Sequence, residues 1–537
     1  MELCDKYIHE SILLNPTMND YLKIEKYNHL RSEYPNFFTE SYDNKEKKLN
    51  EKYLKILSKK KNKTFYDDLF YEDLKEYFRT LYFKDKYFPF SYLFNFLSGT
   101  LEEISSVDSD YDFSDTKSYE DYIKRLETTK EIYDTMIKNL KEGIKKKMTI
   151  SKRIVNGTIE QLKDALEEKT IKNKFKHYRK IPKDIETKFL ETIQSTIMIH
   201  IKKFIRFLTD EYLDNCRDTI GLCGLKNGKK LYKDIIKSYS LNQTPQKLYD
   251  LGILEINKNL KDLSELKKKM KIKGNYTDFL NHMINIPSSR IKDKDKVLDI
   301  LKNLRERLIK EVFNVYFVDK ILKRDYYNIR CVTRDNKHMS AYYLLPDFKN
   351  KRKGTFYINA LDPSTINKYE LPVLALHEGI PGHHYQTNYH MKESTPIYYK
   401  LSDYTCYVEG WGLYCESLLK TNNNYERFWQ LIYNLHRSIR LVVDTGIHYF
   451  DWSYEKSFQF MKQYLPHSDD EIKDEIYRYI CDPGQALCYK IGELFFLDLR
   501  KKYFKKFKED YKGFHSLILK IGPMPLHLFH KKFCEYL

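Results

Sequence analysis

Glycine and proline are scarce, at 18 and 15 residues, together about 6% of the chain and roughly half the usual share. So few breakers exclude a collagen-like chain and argue against an all-β fold with many turns. The nine cysteines form no CxxC pair and follow no regular spacing, which fits reduced thiols better than a disulfide framework. No uncharged apolar run reaches 18 residues; the longest candidate, 193–208, is broken by Lys202, Lys203 and Arg206. The first 20 residues carry Glu2 and Asp5 and lack the basic flank and apolar core of a signal peptide. These absences predict a cytoplasmic protein with no membrane partner. Hydrophobic residues make up 42% of the chain, which excludes wholesale disorder.

Lysine and arginine number 94 against 76 acidic residues, a formal charge of +18. Such a surplus can attract nucleic acid. Here the basic runs Lys145-Lys146-Lys147 and Lys267-Lys268-Lys269 sit among glutamates and aliphatic residues at helical spacing, as solvated helix faces do. No nucleic-acid partner is expected.

A chain of 537 residues invites more than one lobe. Segments 119–147 and 159–175 repeat apolar residues every three to four positions, and no fixed-period repeat is visible. Residues 1–325 therefore read as an N-terminal helical lobe. The texture changes near 326. Runs at 326–333, 339–345 and 355–359 are short and rich in aromatic or β-branched residues, with polar turns at 335–337 and 350–354. They predict a small antiparallel sheet within 326–360, and helical patterning returns from Glu370 to the end. The expected fold is mainly α, an α-rich α+β protein. Its two helical lobes flank a groove, with the C-terminal lobe at 326–537.

The chemistry concentrates at 377–386, HEGIPGHHYQ. Zinc hydrolases use neutral imidazoles as ligands and a nearby carboxylate to deprotonate a water, which suits His377 and Glu378. The next histidines, His383 and His384, follow six and seven residues later. On a straight helix six residues rise about 9 Å and turn to another face, too far for one ion. Pro381 clashes with the carbonyl of His377, and Gly382 tolerates unusual dihedrals. The spacing thus predicts a kink or bulge at Pro381-Gly382 that swings His383 back beside His377. The alternative is a helix that ends at Pro-Gly with incidental histidines.

A third ligand is expected from 402–420, a helix that Ser402 can cap. There Glu409, Leu413 and Glu416 share one face. Two carboxylates on an otherwise apolar face are costly unless paired or metal-bound. Glu409 is the expected ligand, and Glu416 the partner that orients a ligand histidine. The helix 428–449 carries Arg440, Asp444 and His448 as a polar stripe. His448 is the candidate oxyanion donor and Asp444 the group that fixes its tautomer. Arg440, with Arg478, is the candidate clamp for a substrate carboxylate. In DPGQALCYKIG (482–492), Asp482 reads as an N-cap with Pro483 at N1. Tyr489 then lies two turns in, placed to polarise a scissile carbonyl.

HEGIPGHHYQ, EGWGLYCE, RLVVDTGIH, DPGQALCYKIG and FHSLILKIGPMPL, in this order and preceded by GTFYINALD, resemble the bacterial domain-of-unknown-function 885 family. Its members are regarded as mainly helical, gluzincin-like zinc metallopeptidases. The resemblance is strong over 326–537 and loose before it. It implies one zinc ion on His377, His383 and Glu409, with Glu378 as general base and His448 and Tyr489 at the cleft. It places His384 behind the ligands. Gly412 stands where the family usually has Ala, and Cys488 where Ser is usual. The expected activity is hydrolysis of peptide bonds, with Arg440 and Arg478 hinting at a carboxypeptidase-like mode. The strand at 355–359, ending at Asn359, is expected to be an edge strand that pairs with substrate backbone. A zinc amidohydrolase acting on small acylated amines, or a catalytically silent zinc-cleft binding protein, are the rival readings.

Overall fold

Apolar residues at three- and four-residue intervals become helices through most of the chain, and the α-rich expectation holds. The computed structural model describes residues 2–87, 111, 113, 115–167, 181–321, 323–332, 340–347, 352–391 and 395–537. It comprises two compact units. One is Met1–Asn227 with Asp347–Lys349 and Pro396–Tyr399; the other is Gly228–Pro346 with Asn350–Thr395 and Lys400–Leu537.

In the first unit the longer helices are α1 (Leu3–Leu14), α2 (Glu40–Lys59), α3 (Phe65–Tyr87), α4 (Thr116–Lys145), α5 (Lys152–Ala165), α6 (Lys183–Thr192) and α7 (Ile199–Phe207). Caps start them where the sequence supplies an oxygen. Thr39 accepts from the N–H of Tyr42, and Asp115 forms a capping box with Ser118. The core is largely aromatic, with Tyr53, Phe70, Tyr119, Tyr133, Phe189 and Phe204 all buried. Arg125 is buried against the Tyr111 ring and pairs with Asp20 at 2.6 Å, which offsets the cost of desolvating a guanidinium. The helical run predicted at 159–175 ends at Ala165; its part from 168 onward lies outside the described residues.

The second unit starts well before the boundary expected at 325, because the helices after Gly228 bury their apolar faces within it. These are α8 (Gly228–Ser238), α9 (Pro245–Lys269), α10 (Tyr276–Ile284) and α11 (Lys294–Leu308). Gly252 of α9, for instance, lies so close to Val442 that a Cβ there would approach its side chain to 2.7 Å.

Next come β1 (Asn328–Cys331), β2 (Ala341–Leu344) and β3 (Thr355–Ile358), in the order β1-β3-β2. β3 runs parallel to β1 and antiparallel to β2, so the sheet is mixed rather than antiparallel as expected. β2 pairs on the far side of β3 instead of folding back on β1. The strand at 355–358 is therefore central, with both sides already hydrogen-bonded. It offers no edge to a substrate backbone, contrary to the sequence reading. The turn predicted at 335–337 and residues 350–351 of the second turn lie outside the described residues.

The site-bearing helices follow: α12 (Leu371–Glu378), α13 (His383–His390), α14 (Thr405–Glu416), α15 (Asn424–His448), α16 (Tyr454–Tyr464), α17 (Asp469–Cys481) and α18 (Leu487–Phe507). α19 (Tyr511–Ile521) and α20 (Leu526–Tyr536) close the chain. α14 and α18 cross at two glycines, where a Cβ on Gly410 would lie 2.4 Å from the Cα of Gly492. Two expected helix starts move. α14 begins at Thr405 after Tyr404, without a side-chain cap from Ser402. Asp482 closes α17 instead of opening a helix; the chain turns through Gly484 at φ 86°, and α18 begins at Leu487. Tyr489 thus sits in a first turn rather than two turns in. Among the described residues, no helix is long and apolar enough to cross a membrane.

Candidate metal centre

The HEGIPGHH segment is two short helices rather than one bulged helix. α12 ends at Glu378, the chain passes Gly379 and a cis Ile380-Pro381 bond, and α13 opens at His383. Gly382 is required at this corner, since a Cβ would lie 1.9 Å from the carbonyl oxygen of His377. The indole N–H of Trp411 donates to the Pro381 carbonyl at 2.9 Å and ties the corner to α14. The break achieves what the spacing required: the His377 and His383 rings lie 4.6 Å apart, edge to face.

Glu409 projects from α14 between them. Its Oε2 lies 3.3 Å from Nε2 of His377 and 3.6 Å from Nε2 of His383. One ligand atom from each of the three residues falls within 4.8 Å of the other two, the one such group of His, Cys and carboxylates among the described residues. One helical turn pair further along α14, Glu416 accepts from Nδ1 of His377 at 2.8 Å, as expected of an orienting partner. Arg437 of α15, which sequence reasoning missed, stands 3.7 Å from the same Glu416 oxygen. Gly412 faces the His377 imidazole, where a Cβ would come within 2.7 Å.

Electrostatics favour a cation here. Burial alone would depress the pKa of His377, but the carboxylates of Glu409 and Glu416 outweigh it and push it up to about 10. Burial likewise works against ionised Glu409, yet the two imidazoles hold its carboxyl well below the usual range. Two nitrogens and a carboxylate oxygen are a donor set that suits zinc. Glu378 is 7% exposed, and its Oε2 is buried with no hydrogen-bond partner among the described residues. Burial lifts its carboxyl above the ordinary value, against the pull of both imidazoles. An orphaned buried carboxylate oxygen beside such a donor set fits a base that works on a bound water.

His384 points away from this group. Its Nε2 lies 2.7 Å from the carbonyl of Asp325 and its Nδ1 2.9 Å from the Tyr343 hydroxyl, which ties α13 to the sheet. Burial pushes its pKa down to about 4. Asn359 lies at the end of β3, where its N–H donates to the Ser340 carbonyl.

Other predicted residues have different surroundings. His448 is buried and stacks on Tyr232 at 5.4 Å, with Nε2 2.8 Å from the Tyr479 carbonyl. It is not a member of the three-residue group, and its Nε2 is spent on the Tyr479 carbonyl. Asp444 accepts from the Tyr232 hydroxyl at 2.5 Å and from the Gly484 N–H at 3.1 Å, which anchors the 482–486 turn instead of a histidine tautomer. Burial pushes the Asp444 carboxyl up to about 7, against these hydrogen bonds.

Arg440 is buried and held on one side, while its Nε and Nη1 have no hydrogen-bond partner among the described residues. Its Nη2 lies 3.1 and 3.0 Å from the two carboxylate oxygens of Glu475. Arg478 donates from Nη2 to Gln485 at 2.8 Å and to the Tyr489 hydroxyl at 2.6 Å, with Glu475 3.6 Å from Nη1. The Tyr489 ring lies nearly parallel to His377, with centroids 6.3 Å apart. Glu475 was missed by the sequence reading; its signal was the three-residue spacing from Arg478 on α17.

The fold recurs in solved structures. One is described as a "putative lipoprotein" from Colwellia psychrerythraea: TM-score 0.86, 20% identity, 99% of this chain and 97% of that one covered. Another is a "putative lipoprotein of unknown function" from Shewanella oneidensis: TM-score 0.77, 16% identity, 98% and 97% covered. No curated protein matches the chain. The family model for bacterial proteins of unknown function, DUF885, matches residues 16–532, and the chain belongs to that family.

Proposed function

We propose that the protein is a zinc-dependent peptidase in which His377, His383 and Glu409 hold one zinc ion and Glu378 is the general base. The observation that carries the reading is the convergence of two imidazole nitrogens and a carboxylate oxygen within 4.8 Å, beside the unpartnered Oε2 of Glu378. When bound, zinc supplies a Lewis acid that polarises a carbonyl and brings the pKa of a water to about 7. Glu378 takes the proton of the attacking water and returns it to the leaving amine. Glu416, hydrogen-bonded to Nδ1 of His377, fixes the ring so that Nε2 faces the other donors. Tyr489 donates its hydroxyl proton toward the carbonyl oxygen as negative charge develops there.

A carboxypeptidase mode rested on Arg440 and Arg478 as free clamps. Arg440 is buried behind its pair with Glu475, and Arg478 is engaged by Gln485 and Tyr489, which weakens that support, so the reading stays with peptide-bond hydrolysis. We place the enzyme in the cytoplasm, since none of its nine cysteines is in a disulfide. Fractionation of the native cell checks this, and recovery in an envelope fraction overturns it. The test of function is elemental analysis with digestion of a defined peptide mixture. Stoichiometric zinc and cleaved peptides are expected; a zinc-loaded protein that cleaves none overturns the reading.

A further inference from the structure

We propose that Arg478 is a positioning residue for Tyr489: its guanidinium occupies the acceptor side of the phenol oxygen and thereby directs the phenolic proton at the peptide carbonyl. The inference rests on the peptidase reading above and goes beyond it, because it assigns Arg478 to the reaction instead of to a substrate terminus.

The geometry is specific. Nη2 of Arg478 carries two hydrogens, and both are engaged, one by Gln485 at 2.8 Å and one by the Tyr489 oxygen at 2.6 Å. Glu475 lies 3.6 Å from Nη1 and is itself held by Arg440 and by the Tyr479 hydroxyl at 2.6 Å, so the guanidinium is braced from behind. Arg440 lies 4.4 Å from the centroid of the Tyr489 ring, and the same ring lies nearly parallel to His377. Tyr489 is 6% exposed.

A phenol has one proton to give. When a cationic donor fills a lone pair on its oxygen, that proton is turned away from the cation, and the O–H becomes a stronger donor. Tyr489 so held is preorganised to stabilise an oxyanion without reorienting during the reaction. A guanidinium with both Nη2 hydrogens committed is poorly disposed to grip a substrate carboxylate in bidentate fashion.

The test uses the zinc-loaded full-length chain, a peptide that it cleaves, the C-terminally amidated form of that peptide, and a phosphinic analogue whose tetrahedral oxygens mimic the oxyanion. Arg478→Met and Tyr489→Phe are each expected to lower kcat by about 10–100-fold, with KM within about threefold. Each should weaken calorimetric binding of the phosphinic peptide by a similar factor. The double variant should be no worse than the poorer single variant, since both changes remove one device. Arg478→Lys, which keeps a charged donor, should recover part of both losses.

Multiplying losses in the double variant would overturn the proposal, as would equal weakening of substrate and phosphinic peptide. So would a KM defect that vanishes for the amidated peptide, which would return Arg478 to carboxylate capture. If the zinc-loaded parent neither cleaves peptides nor binds the phosphinic compound, the peptidase reading itself fails and the role of Arg478 with it. An active parent with unaffected variants overturns only the latter.

Discussion

Two buried polar clusters in the second unit differ in the kind of atom that they leave unpaired. Around Glu475 cations are in excess: Arg440, Arg478, His436 and Tyr479 all lie within 3.6 Å of one carboxylate, and the atoms left without a hydrogen-bond partner among the described residues are N–H donors, Nε and Nη1 of Arg440. Around Glu409 the case is different. Glu409 and Glu416 share the nearest imidazole, His377, and Oε2 of Glu378 and Nδ1 of His383 have no hydrogen-bond partner among the described residues. Buried polar atoms without partners cost free energy unless something else supplies the contact. Spare guanidinium N–H groups leave the first cluster closed to a cation, whereas a spare carboxylate oxygen and imidazole nitrogen leave the second open to one.

Breaking each cluster should therefore have different consequences. The largest effect is expected from Glu378→Gln, which keeps the shape and removes the base. Turnover should fall by at least about a thousandfold while elemental analysis still finds one zinc. Full activity in this variant would refute the base assignment. Glu475→Ala should do the reverse. It strands Arg440, which is buried, and should lower stability by about 3–5 kcal/mol in denaturant titration, with zinc affinity changed by less than about threefold. A large loss of zinc would show that the two clusters are one.

Glu416→Ala sharpens the contrast from the other side. It should weaken zinc binding by about 10–100-fold in competition with a chelator, because His377 loses the partner of its Nδ1. Asp444 gives a pH signature outside both clusters. Its folded pKa, about 7, lies above the unfolded value near 3.9, so the folded state holds the proton more tightly. Its contribution favours the fold at low pH and is lost as pH rises from about 4 through 7. Unfolding free energies measured across that range should fall by on the order of 4 kcal/mol more in the parent than in Asp444→Asn. The smallest effect is expected from Gly412→Ala: a methyl group pressed on the His377 ring should reduce zinc affinity by less than about tenfold.

The open cluster was legible in sequence because its members are diagnostic types at constrained spacings. Pro381-Gly382 had to break the helix after His377. Glu409 and Glu416, seven residues apart, had to share a face of α14, and burial of both demanded partners. The closed cluster was not legible in the same way. A stripe such as Arg440-Asp444-His448 shows which side of a helix is polar and leaves open which element packs against it. Glu475 answers Arg440 from α17, Tyr232 answers Asp444 from α8, and the Tyr479 carbonyl answers His448. These are long-range pairings. The sheet failed for a related reason: local patterning fixes strands, while their order depends on the path of the connections. The helix start at Asp482 failed because Gly484 adopts a left-handed turn before α18 can begin.

The glycine crossing of α14 and α18 sets a spacing that side chains do not control. Glu409 precedes Gly410, and Tyr489 lies one turn before Gly492, so two bare backbones set how closely the helices that carry carboxylate and phenol approach. The aromatic surroundings can then drift through many sequences without changing that approach, whereas one methyl group at either glycine would wedge the two helices open and shift Glu409 relative to Tyr489.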